Sequence, residues 1–270
     1  YWECALKKND EAFEKVEVEC LENLKNSDHT VKIKNIDIQK FLKDAGVNTD
    51  NINVEELKYY ENLDKIINMS NIEVIKDYMK FQLISGAAGV LDEKTSNRGF
   101  EFYGKVLSGR KERDAIEKRA LDFVSEELGE IVGKVYVEKN FSAEAKKNTE
   151  EMIKYIKIAF QNRIKNLTWM SEETKKAALE KLSKINSKIG YPNVWRDFAS
   201  LKLNPEDTLY RQISTIKKWY YSYDLKKVGK PVDKNEWGMD AHEVNAYYSP
   251  TENEIVFPAG ILQRPFYSFE

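Results

Sequence analysis

Two cysteines and two histidines are all that the 270 residues offer of the side chains that most often bind transition metals or act as nucleophiles. Cys4 and Cys20 are too few for a disulfide framework, and their spacing does not say whether they pair. Cys20 shares a helical stripe with Phe13, Val16 and Leu24, the setting of a small buried thiol. Neither cysteine has a histidine near it in sequence, which leaves a Cys/His protease without support. Absent too is any run of about 18 apolar residues, and with it any candidate membrane span. The start has no signal-peptide pattern, and it opens on Tyr1 rather than Met, as a processed or cut piece would. Charge of one sign is missing as well, since 43 Lys and Arg are interspersed with 45 Asp and Glu. No basic field invites nucleic acid or an anionic membrane. Gly86-Ala87-Ala88-Gly89 lacks the GK[ST] continuation of a phosphate loop.

What is present is a globular composition, 41% hydrophobic, enough for the core of one large or two smaller domains. Most of it reads as amphipathic helix. Residues 36–45 carry Ile38, Phe41, Leu42 and Ala45 at helical spacing and stop at Gly46; residues 48–53 are a polar loop. Ser70-Asn71-Ile72-Glu73 reads as a capping box opening a long helix with Ile75, Met79 and Leu83 on one face. The stretch 92–99 lacks periodicity, and Gly104 and Gly109 punctuate the residues after it. Further helices run through Ile116, Ala120 and Phe123, then through Met152, Ile156 and Phe160. Ser171 caps the next, whose stripe Ala178, Leu182, Ile185 and Ile189 ends at Gly190 and Pro192. Asn204 and Pro205 signal the start of a last helix with Leu209, Ile213, Ile216 and Tyr220 on its inner face. Trp195, Trp219, Tyr220 and Tyr221 read as core or lobe-contact residues rather than a base-stacking platform. Asn68, Asn140 and Asn166 head N-x-S/T sequons, which matter only in a protein secreted from a eukaryotic cell.

Near the end the pattern changes. Residues 244–249 and 254–257 are short extended runs rich in β-branched and aromatic side chains, separated by the turn-forming Pro250-Thr251-Glu252-Asn253. This predicts a hairpin that must lean on the helices before it, with an edge that could receive a peptide.

The run from Val244-Asn245-Ala246-Tyr247-Tyr248 to Val256-Phe257-Pro258-Ala259-Gly260-Ile261-Leu262-Gln263 resembles the NAYY and VFPAGILQ segment of the neprilysin and endothelin-converting enzyme family of zinc metallopeptidases, which includes bacterial oligopeptidases. Phe102-Tyr103-Gly104-Lys105-Val106-Leu107, Trp169-Met170-Ser171-Glu172-Glu173 and Lys188-Ile189-Gly190-Tyr191-Pro192 resemble the family's N-terminal helical region. The resemblance covers roughly residues 35–270. It implies a mainly α fold, a multi-helix lobe (residues 1–230) followed by a β-hairpin (residues 231–270) that begins a zincin-type catalytic domain. It also implies a metalloendopeptidase that cleaves short peptides on the amino side of hydrophobic residues, with Zn2+ as cofactor in the complete enzyme.

Zinc peptidase chemistry needs histidines or carboxylates around the metal and, on the usual HExxH helix, two histidines four residues apart with a Glu as base. Here only His29 and His242 exist, and in His242-Glu243-Val244-Asn245-Ala246 an alanine stands at the second histidine's place. His242 is therefore read as a polar strand residue. In the family HExxH comes shortly after FPAGILQ, and Glu270 precedes it, so this chain is expected to bind no zinc, to hold no catalytic residue and to be inactive alone. The resemblance assigns substrate binding to Asn245 and Ala246, which hold an extended peptide like an added strand. It assigns Ile261 and Phe266 to the pocket for the hydrophobic residue after the scissile bond. Arg264 departs from the family's proline and puts a cation beside that pocket. The expected partners are peptide substrates and the remainder of the catalytic domain, and the compartment, cytoplasmic or secreted and cell-surface bacterial, is left open. The alternative is a non-catalytic helical peptide-binding or scaffold module, in which the apolar run 255–262 would be exposed and prone to association.

Overall fold

The computed structural model describes residues 35–49, 52 and 56–268; Cys4, Cys20, His29 and part of the 48–53 loop lie outside them. The chain divides into two compact units, Tyr1–Ile84 and Ser85–Glu270. In the first, α1 (Ile38–Asp44) opens where the Asp37 carboxylate accepts the Lys40 N–H and closes before Gly46, whose φ of 78° suits a residue without Cβ. Helix α2 (Leu57–Met69) carries Asp64, which is buried and accepts the backbone N–H of Asn35 at 2.7 Å. Helix α3 (Ile72–Leu91) is capped by Asn71 rather than by the expected Ser70, since Asn71 Oδ1 accepts the Glu73 N–H at 2.9 Å. Ser70 instead ends α2, its N–H on Ile66 O.

Residues 92–99, without apolar periodicity, nevertheless form a helix, α4 (Glu93–Gly99). Asp92 caps it by accepting both the N–H and the hydroxyl of Thr95. A π-helix, Phe100–Leu107, continues it, and Gly104 lets the Phe100 ring lie against the backbone where a Cβ would overlap it. Helices α5 (Ile116–Glu127), α6 (Gly129–Asn140), α7 (Ala143–Lys165) and α8 (Glu172–Ser183) come next. Ser142 and Ser171 cap α7 and α8 by accepting the N–H three residues on. Helix α9 (Leu209–Leu225) begins at Thr208, not Asn204, which stabilises a turn through the Glu206 N–H instead.

The largest departure from the sequence pattern lies after α8. The helix ends at Ser183, and Asn186–Gly190, whose Ile189 falls on the helical stripe by spacing, is a strand, β1. It pairs in parallel with β3 (Glu254–Pro258), and β2 (Tyr247–Ser249) pairs antiparallel on the other side of β3, giving the order β1-β3-β2. The hairpin is therefore real, but it leans on a third strand from the helical part of the sequence. The sheet draws one strand from before residue 230 and two from after it.

The core of the second unit forms where α6 and α7 meet the segments flanking this sheet. Val137, Phe141, Ala145, Ala241 and Ala259 are buried together, with Tyr136, Tyr191, Trp195 and Leu262 packed against them. The run 255–262 is not exposed, contrary to the expectation for a stand-alone module: Val256, Pro258, Ala259 and Gly260 are buried, and the others half-buried. The fold is mainly α with one small mixed sheet among the described residues, and none of its helices there is long and apolar enough to cross a membrane.

Candidate substrate-binding edge

Three glycines allow the backbone to approach closely where the chain enters the hairpin. A Cβ on Gly129 would overlap the Asp240 carboxylate, one on Gly133 would lie 3.1 Å from the Ala241 nitrogen, and one on Gly260 would overlap the carbonyl oxygens of His242 and Glu243. The segment 240–243 is thus held between α6 and the turn after β3, and the Gly260 N–H on Ala241 O at 2.9 Å closes the contact. Burial pushes the Asp240 carboxyl above the usual range, against a smaller opposing effect of His242. His242 lies in a turn rather than on a strand, and its Nδ1 is buried without a hydrogen-bond partner.

Beyond this clamp the chain bends at Val244 and reaches Asn245, which is exposed, and Ala246, which is half-buried. The expected strand over 244–249 contracts to Tyr247–Ser249, so Asn245 and Ala246 form the approach to β2 rather than part of it. Asn245 Oδ1 accepts the Ala246 N–H at 2.8 Å. That amide still carries two Nδ2 hydrogens as donors. Because β2 is the last strand in the order, its outer edge has no strand partner among the described residues. An edge of unpaired N–H and C=O groups is a template for an added strand.

The other end of the hairpin is tied down. Asn253 takes a φ of 50° in the predicted turn, its Nδ2 donates to Lys181 O at the end of α8, and its carbonyl accepts the Asn186 N–H. Ile261 comes after β3 and is half-buried, while Phe266 is 70% exposed in the turn 263–267. Gln263 fixes that turn to the end of α6 through Asn140 O at 3.0 Å. Neither Ile261 nor Phe266 lines the cleft beside it, formed by residues 138–142, Ala145, Leu262, Gln263, Arg264, Tyr267 and Ser268.

Inside the sheet lies a constellation that no local sequence pattern signals. Lys188 of β1 and Glu254 of β3 form an ion pair at 2.6 Å, with side chains 7% and 4% exposed. Glu254 Oε1 also accepts the Tyr247 hydroxyl, and Oε2 accepts Asn186 Nδ2, both at 3.3 Å. Lys188 donates further to Glu236 O. A 66-residue separation hides such a pair from any short window of sequence.

A second cavity, about 880 Å3, opens between α9, the 192–200 loop and residues 233–241. Arg196 stands in its wall, between Glu130 at 3.3 Å and Glu236 at 3.4 Å, with Tyr223 4.6 Å and Tyr220 5.4 Å from its guanidinium. Trp219 stacks on Phe198 at 4.8 Å there, as expected of packing aromatics. Neither Asn245 nor Ala246 lines this cavity. Among the described residues no three His, Cys, Asp or Glu side chains are grouped to hold a metal ion.

Two models of peptidase family M13 match the chain, over residues 7–192 and 245–270. A neutral endopeptidase of Lactococcus lactis is 35% identical over 240 residues, 88% of this chain and 38% of that protein. Human neprilysin is 35% identical over 231 residues, 82% of this chain and 30% of its own length. The crystal structure of the Mycobacterium tuberculosis zinc metalloprotease Zmp1 in complex with an inhibitor superposes with a TM-score of 0.75 at 31% identity, covering 88% of this chain and 39% of that one. The chain thus spans well under half the length of these relatives. With more than half of its residues matched by the family's N-terminal model and a second match over the hairpin, the chain belongs to peptidase family M13.

Proposed function

We propose that these 270 residues are the substrate-binding portion of a neprilysin-like zinc metalloendopeptidase whose complete form cleaves short peptides on the amino side of hydrophobic residues. Asn245 and Ala246 hold the substrate backbone alongside β2, and Ile261 and Phe266 help select the side chain after the scissile bond. Zinc, the general base and the metal ligands are supplied from outside this stretch, whose sequence has no HExxH, so the stretch alone is inactive. The division near residue 230 is, on this reading, the passage from the helical lobe to the catalytic domain.

The observation that carries the reading is the outer edge of β2, which has no strand partner among the described residues and is entered through an exposed Asn245 and a small Ala246. An amide that meets a peptide backbone offers a donor and an acceptor at once, and Ala leaves room for close approach. Backbone pairing gives affinity with little sequence preference, which suits an enzyme of short, varied peptides. In the complete enzyme, Asn245→Ala is expected to lower kcat/KM for a short peptide by about 10-fold or more, the worth of one or two hydrogen bonds in the transition state. An unchanged kcat/KM removes Asn245 from the site. The same enzyme carrying Arg264→Pro is expected to lose part of any preference for acidic side chains beside the hydrophobic pocket; identical preferences remove Arg264 from the pocket.

A further inference from the structure

Resting on the reading that the β2 edge receives substrate, we propose that Lys188, Glu254 and Tyr247 are positioning residues that aim Asn245 and Ala246. A buried ion pair is costly to desolvate, and apolar residues of similar volume are often as stabilising or more so. Stability is therefore a poor reason for Lys188 and Glu254 to occupy the inner face of a three-stranded sheet. Their geometry supplies a better one.

In the register Tyr247↔Val256 and Lys188↔Val256, both Tyr247 and Lys188 flank the fully buried Val256 and both reach diagonally to Glu254. The Glu254 carboxylate receives Lys188 on both oxygens, at 2.8 and 2.6 Å, and also accepts from Tyr247 and Asn186. The Tyr247 hydroxyl, donating to Glu254, accepts the Gly238 N–H at 3.0 Å. Tyr247 is thus fixed at both its backbone and its tip. It is also the first residue of β2 and the direct neighbour of Ala246.

That position matters because β2 pairs over three residues only. Such a short edge strand holds its first residue weakly by main-chain bonds alone. Side chains alternate along a strand, so anchoring Tyr247 on the inner face fixes the register of β2, which a one-residue slip would reverse, and with it the point at which Asn245 and Ala246 lead into the strand. Lys188 holds Glu254 in place, Glu254 holds Tyr247, and Tyr247 sets the point at which Asn245 and Ala246 meet the incoming backbone.

The test uses the complete enzyme. Tyr247→Phe deletes one hydroxyl and keeps the ring, and it is expected to raise KM for a short extended peptide about 5-fold, with kcat within about two-fold and the melting temperature nearly unchanged. Adding Asn245→Ala to Tyr247→Phe is expected to cost less than the product of the two single losses, because both act on one contact. Lys188→Met combined with Glu254→Leu removes both charges together and is expected to fold and to show the same rise in KM. A wild-type KM in Tyr247→Phe, or in the folded double variant, overturns the proposal, even where kcat falls in proportion to lost folded enzyme. Asn245→Ala alone separates the two levels. If it changes nothing, the substrate reading itself falls; if it lowers kcat/KM while Tyr247→Phe does not, only the positioning role falls.

Discussion

The helices and the sheet of the second unit use the same ion pair for opposite ends. Lys105 with Glu101, Lys175 with Glu172 and Lys184 with Glu180 lie one turn apart on a single helix, each with at least one member open to water. Lys188 and Glu254 come from strands 66 residues apart and are almost fully enclosed. In water a pair gains little beyond what each ion already has, and salt screens what remains. Enclosed, each partner is tolerable only while the other is present. The difference teaches that these exposed one-turn pairs tolerate change, whereas the sheet that bears the candidate edge encloses a charged pair at its centre.

The sharpest way to break this contrast is to strand one buried charge. Lys188→Met leaves the Glu254 carboxylate enclosed without its cation and is expected to cost about 4 kcal/mol of unfolding free energy in urea titration. A loss below about 1 kcal/mol would place the pair with the surface ones. Next comes the clamp beneath the hairpin. Gly260→Ala puts a methyl onto two backbone oxygens, which cannot rotate away, and is expected to cost about 3 kcal/mol in the same assay. Smaller, and visible only as a slope, is the effect of Asp240. Because burial raises its pKa in the folded chain, the native state binds that proton more tightly than the unfolded state. Stability therefore falls as pH rises from the ordinary carboxylate range through the raised value, and Asp240→Asn is expected to flatten that fall in thermal melts taken across the window. Smallest of all, Lys105→Ala is expected to leave the urea midpoint where it was, since its pair with Glu101 is exposed.

These contrasts also explain what the sequence made legible. Helix α7 follows from apolar spacing and α8 from apolar spacing and a serine cap, all local signals, and the turn 250–253 follows from its own residues. Strand β1 does not, because Asn186-Ser187-Lys188-Ile189-Gly190 has no β-branched run and continues the stripe of the helix before it. It becomes a strand by pairing with residues 254–258, a contact no window of sequence contains. Likewise α4 is hidden because its start is written in an Asp-Thr cap rather than in apolar periodicity. At the candidate edge, Asn245 and Ala246 could be named from their motif, yet the parts that would aim them, Lys188 and Tyr247, read locally as an ordinary charge and an ordinary strand aromatic.

The most direct test of a backbone-binding edge compares two substrates of the complete enzyme that differ in one atom, a peptide and the same chain with an ester oxygen replacing the amide N–H that would face Asn245. With the wild-type residue, the ester is expected to be the poorer substrate by about 10-fold in kcat/KM. In Asn245→Ala the two should be handled alike, because the group that told them apart is gone. If the variant still prefers the amide by the wild-type margin, Asn245 does not hold the substrate backbone and the peptide-binding role of this edge is wrong.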